Sequence, residues 1–171
     1  MKNIEKNEER HILALTVDNE AGVLGRVVGL FSGRGYNIHS LTVSEVDKEK
    51  KLSRITVTTS APPAVIAHIV TLLERLVPVH KVRDLTTDGA FVERALVLIK
   101  VKAISEKRTE ILHLADSFGA REVDGTDKSF VFELSDIPGK LNEFIEIMKP
   151  YGIIEYSRTG VTALARGAEG F

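Results

Sequence analysis

Asn19, Gly22 and Asn37 are the residues of this 171-residue chain whose types and spacing suit small-molecule chemistry. The apolar run His11 to Val17 reads as a strand, and a polar turn ending at Gly22 leads from it into a helical pattern. A helix start offers unpaired backbone N–H groups and a partial positive charge, so a carboxylate can bind there without a basic side chain. Gly22 lets backbone approach such a ligand closely. The carboxamides of Asn19 and Asn37 can bridge an amine and a carboxylate, while Val23, Leu24 and Ile38 can receive an apolar side chain. Asp18 and Glu20 add negative charge for an ammonium. Together these residues describe a site for a small aliphatic amino acid. The plain alternative is that Asn and Gly occupy helix starts and turns for backbone reasons alone.

Those residues need two strands and a helix to hold them. The helix carries Val23, Leu24, Val27, Val28, Leu30 and Phe31 on one face and stops at Gly33-Arg34-Gly35. A second strand, Tyr36 to Val46, is expected to return beside the first with Asn37 and Ile38 on it. Asp47 to Lys51 reads as a hairpin tip, followed by a strand with Ile55, Val57 and Thr59 in alternation. Pro62 and Pro63 open another helix, with Val65, Ile66, Ile69, Leu72, Leu73 and Leu76 inward. The strand Val79 to Leu85 completes β-α-β-β-α-β.

The second half repeats that order: strand Arg94 to Val101, helix Glu106 to Phe118, strands Glu122 to Asp124 and Phe130 to Leu134, helix Gly139 to Lys149, strand Ile153 to Ser157. The fold class is therefore α+β, two ferredoxin-like βαββαβ domains, 1–86 and 87–171. Each sheet keeps one face free of its own helices, so something else should cover it or pair with its edge, and homo-oligomerisation is expected. A fainter echo sets Gly22 on Gly139, Leu24 on Leu141, Val27 on Phe144, Val28 on Ile145 and Gly35 on Gly152. Position 19 then maps to Asp136 and position 37 to Ile154, so both carboxamides are lost and the second turn is expected to be structural.

Other chemistry is thin. With 23 Lys plus Arg against 24 Asp plus Glu, the net charge of −1 gives no field for nucleic acid or anionic membrane. Cysteine is absent, which removes disulfides, thiolate metal sites and Cys nucleophiles. His11, His39, His68, His80 and His113 show no metal-ligand spacing, and a surface or interface role is expected for His11 and His39. The chain starts with charged residues and contains no run near 18 apolar residues, so a cytoplasmic protein is expected. There is no nucleophile elbow, P-loop or paired-acid constellation, so no catalytic residue is assigned. Gly22, Gly25 and Gly29 read as close packing of the helix against the sheet. Two rivals share the fold. An RNA-binding module needs aromatics that HILALTV and RITVTTS lack. An acylphosphatase-like hydrolase could cast Arg26 and Asn37 as phosphate and water ligands, but Arg26 lies a turn inside the helix.

The segments NEAGVLGRVVGLFSGRGYNIHSLTV and LSRITV closely resemble the small regulatory subunits of acetolactate synthase, also called acetohydroxyacid synthase. VERALVLIKV and SRTGVTALARG extend the likeness to nearly the whole chain; the helix start alone would indicate only a generic ACT-domain amino-acid sensor. The resemblance implies a non-catalytic regulator of branched-chain amino-acid synthesis, including isoleucine, which stimulates a large catalytic subunit and confers feedback inhibition by valine. It implies that thiamine diphosphate, Mg and FAD belong to that partner, with no cofactor here. It also implies a ligand held between two ACT domains of a homodimer. The implied effector residues are Asn19, Glu20, Ala21, Gly22, Val23, Leu24, Asn37 and Ile38.

Overall fold

A computed structural model describes residues 8–168, 170 and 171. The chain forms two compact units. One runs to Val92 and takes in the segment from Val161 onward; the other is Glu93–Gly160. This differs from the expected division at 86/87: the last stretch, assigned from sequence to the second domain, packs with the first.

The first unit is built from β1 (Glu9–Asp18), α1 (Val23–Ser32), β2 (Ser40–Asp47), β3 (Leu52–Ala61), α2 (Pro63–Glu74) and β4 (Val79–Asp84). Its antiparallel sheet has the order β2-β3-β1-β4. β1 and β3 pair along their full length, from Glu9 opposite Ala61 to Asp18 opposite Leu52. The second strand of the chain therefore lies beside β3 and not, as the sequence suggested, beside β1. It also starts later than expected. Asn37 and Ile38 precede β2, and the Asn37 carbonyl is taken by the Thr59 hydroxyl (2.6 Å). The hairpin tip between β2 and β3 turns at Lys51, whose φ is 53°.

Alternation on the strands meets the helical period on one side of this sheet. Leu13, Leu15, Val17, Ile55 and Val57 pack with Val23, Val27, Leu30 and Phe31 of α1 and with Ile66, Ile69 and Leu73 of α2. The other face is buried as well, at Ile12, Ala14, Thr56 and Thr58. Part of its cover is the unit's own C-terminal segment. The Val161 amide donates to Ser40 Oγ (3.3 Å), Arg166 N donates to Ala90 O (2.8 Å), and the Phe171 ring lies 3.8 Å from the Arg54 guanidinium. Burial, with Arg83 nearby, pulls that guanidinium below its ordinary pKa.

The second unit holds most of β5 (Phe91–Lys102), then α3 (Arg108–Ser117), β6 (Arg121–Gly125), β7 (Ser129–Asp136), α4 (Pro138–Met148) and β8 (Ile153–Arg158). Its sheet order, β6-β7-β5-β8, repeats the first. A single helix was expected from Glu106; instead a 3-10 turn, Ser105–Lys107, leads into α3. A last strand that the sequence did not suggest, β9 (Thr162–Ala165), belongs to the first unit.

Candidate functional site

Gly22 is the N-cap of α1 and has φ +86°, in the left-handed region where a side chain is strained. That turn aims the first amides of α1 outward. Val23 N makes a long bond to Glu20 O (3.4 Å) and Arg26 N returns to Gly22 O (3.0 Å). Among the described residues the Leu24 and Gly25 amides meet no acceptor, no side chain caps the helix, and no acid lies in its first turn. The helix start is thus left open to an outside anion. Asn19, Glu20, Ala21 and Gly22 are exposed around it. Val23 is in the core at 4% exposure, whereas Leu24 is 39% exposed and free to meet a ligand or a second chain.

Asn19 and Asn37 stand at opposite ends of the sheet. Asn19 N donates to Lys51 O (2.7 Å), just before β3, while the Asn37 carbonyl is held by Thr59 near its far end. Eight residues of extended chain separate these anchors, roughly 25 Å at about 3.3 Å per residue. Ile38, half-buried against the core, goes with Asn37. One chain therefore separates the expected site residues into two groups. One comprises residues 19–24 and the other residues 37 and 38.

Both asparagine side chains have neighbours that spacing did not reveal. Asn19 Nδ2 donates to Glu45 Oε1 (2.9 Å), and Asn37 Nδ2 lies 3.4 Å from His39 Nδ1. Strand register brings Glu45 close: Val17 and Glu45 flank Ser53 from either side. Only knowing that β3 lies between β1 and β2 could have exposed this pair.

Two readings from sequence need correction. Gly25 and Gly29 do not pack against the sheet, because an added Cβ would meet nothing within 4 Å at either position. Helical period alone does not say which side of α1 they take; the apolar residues claim the sheet side and leave the glycines outward. His11 is not a surface residue. It is 1% exposed, and its Nδ1 lies 2.7 Å from Asp84 Oδ2 beside a cavity of about 350 Å³ lined by α2 residues Ile66 and Val70. Among the described residues no group of three or more His, Asp or Glu could hold a metal, and no helix is long and apolar enough to cross a membrane.

Comparison with known proteins covers most of the chain. Residues 13–81 match the AHAS small subunit-like ACT domain and residues 94–167 match the family described as the small subunit of acetolactate synthase. A probable acetolactate synthase small subunit of Archaeoglobus fulgidus is 42% identical, covering 92% of this chain and 98% of its own length. Isozyme 3 small subunit of Escherichia coli is 39% identical over 92% of this chain and 96% of its own. The crystal structure of the acetolactate synthase small subunit from Thermotoga maritima aligns with a TM-score of 0.84 at 30% identity, covering 94% of this chain and 99% of that one. Since family matches, near full-length relatives and a solved fold all converge, the chain belongs to the family of acetolactate synthase small subunits, its first unit being an ACT domain.

Proposed function

We propose that the chain is the regulatory partner of an acetolactate synthase large subunit, which it stimulates and renders sensitive to feedback inhibition by valine. The catalytic apparatus, with thiamine diphosphate, Mg and FAD, belongs to that larger chain, where two pyruvates give acetolactate and CO2. This chain contributes binding and no catalytic group, in the cytoplasm.

The observation that carries the reading is the distance between the half-sites. Asn19 and Gly22 lie several lengths of a small amino acid from Asn37 and Ile38, so both groups reach one valine only if two copies face each other with α1 antiparallel. Three features suit that pairing. β2 is the edge strand of its sheet, the position at which a further strand can add. Val43 on it and Leu24 on α1 are each 39% exposed. Gly25 and Gly29 leave α1 a low surface on which a second helix can rest. The valine carboxylate then meets the Leu24 and Gly25 amides, worth about 1–2 kcal/mol in a partly buried geometry. Burial of the isopropyl group adds about 1.5–3 kcal/mol. Micromolar affinity needs about 8 kcal/mol, so ammonium and carboxamide bonds supply the remainder. Valine at this seam favours one dimer arrangement and, through it, one state of the holoenzyme.

Mixing variants tests the composite site. Asn19→Ala and Asn37→Ala homodimers each bind valine weakly. Co-refolded heterodimers carry one doubly altered seam and one intact seam, so calorimetry should recover wild-type affinity at half the sites. Reconstituted with the large subunit, the same heterodimers regain valine inhibition of acetolactate formation. No recovery on mixing sinks the shared site.

A further inference from the structure

Each asparagine of the proposed valine site is gripped through its NH2 group by an acceptor of its own chain. At the first half-site, Glu45 Oε1 takes the Asn19 Nδ2 hydrogen at 2.9 Å. The small Ser53 lies between Val17 and Glu45 in the sheet, so a residue following β1 can reach one on β2 across it. A carboxylate only accepts hydrogen bonds, so Asn19 must turn its NH2 toward Glu45 and its Oδ1 away. At the second half-site, His39 Nε2 lies 3.1 Å from Ser60 Oγ and His39 Nδ1 lies 3.4 Å from Asn37 Nδ2. With the ring hydrogen on Nε2 and donated to Ser60, Nδ1 keeps a lone pair and accepts from Asn37. Asn37 then also presents Oδ1 outward. The same orientation thus arises twice, by different side chains at opposite ends of the sheet.

We infer that Glu45 and His39 are positioning residues that hold the Asn19 and Asn37 carbonyl oxygens ready to accept from the ammonium group of the effector. The inference rests on the valine site proposed above. Two fixed carbonyl acceptors at a seam whose other wall is the amide-rich start of α1 match a zwitterion: acceptors for the ammonium, donors for the carboxylate. Without Glu45 or His39 the carboxamides rotate freely, and half of their orientations point a donor at the ammonium.

Calorimetry with valine on the full-length chain tests this. Glu45→Ala should raise Kd roughly three- to tenfold, as expected for one lost hydrogen bond, with the thermal midpoint unchanged because the residue is exposed. Glu45→Gln keeps an acceptor oxygen for Asn19 and should bind within about twofold of wild type on the same scale. His39→Ala and His39→Gln should behave as a second such pair. If Glu45→Ala binds as wild type does, or Glu45→Gln binds as poorly as Glu45→Ala, the positioning role is overturned; the latter result would mean that charge matters and orientation does not. A wild-type chain that ignores valine overturns the effector reading and this inference with it.

Discussion

The helices that begin at Val23 and at Pro138 share a sequence pattern, with leucine at 24 and 141, apolar residues at 27 and 144, and glycine at 35 and 152. Their first turns nevertheless differ in what they offer. α1 starts from a left-handed Gly22 with open amides and no acid in its first turn. α4 starts from the extended Ile137, and Pro138 removes one donor outright. Asp136, at the position matching Asn19 less one carboxamide, is occupied locally: its Oδ1 accepts from Ile137 N (2.7 Å) and its Oδ2 lies 3.0 Å from Lys140 Nζ. Those contacts, the backbone N–H first, hold the Asp136 carboxyl below its ordinary range. Neither helix start carries a side-chain cap; α1 opens on a left-handed glycine with its first-turn donors intact, whereas α4 opens on a proline beside the Asp136–Lys140 ion pair.

The sharpest way to break this contrast is to place an acid at both glycines. Gly22→Asp sets an anion against the effector carboxylate and should abolish calorimetric valine binding. Asp tolerates the left-handed region at a cost of about 1–2 kcal/mol, so far-UV circular dichroism should still report the native fold. Gly139→Asp puts its charge in the first turn of α4, where it favours the helix, and should leave valine affinity untouched. Next in size is Asn37→Ala, which should cost about 1–3 kcal/mol of valine affinity, while Ile154→Ala at the echoed position should cost none. Equal losses at 37 and 154 would erase the distinction between the halves. The smallest effect belongs to Asp136→Ala. The Asp136 pKa is lower folded than unfolded, so its stabilisation is whole above the unfolded value and fades as pH falls through the folded one. Thermal melts should therefore show a modest loss of Tm at neutral pH that closes in acid, with valine affinity unaltered throughout.

Much of this was readable in residues. Strict alternation at Ile55, Val57 and Thr59, and the 3.6-residue period of Val23, Val27 and Leu30, located the strands and helices of the first unit to within a few residues. Gly22 was readable as the glycine of a turn entering a helix, and it is the left-handed N-cap of α1. The strand Thr162–Ala165 was hidden, since four residues with a single buried side chain carry no periodic signal. Strand order was hidden too, because alternation fixes a face and not a neighbour. That gap concealed the Asn19–Glu45 bond, which spans two strands with a third between them. It also misplaced His11, whose burial depends on α2 lying over the start of β1.

The path of the backbone has a practical corollary. Because the chain leaves the ACT unit after Val92 and re-enters it at Val161, Glu93–Gly160 is an insert tied at both ends, not a bead on a single string. Stopping translation at Val92 would take β9 away from the regulatory unit it was meant to isolate, whereas splicing Val92 to Val161 through a short linker would keep it in the chain. Dissection of this protein should follow that loop of covalent connectivity and not the midpoint of the sequence.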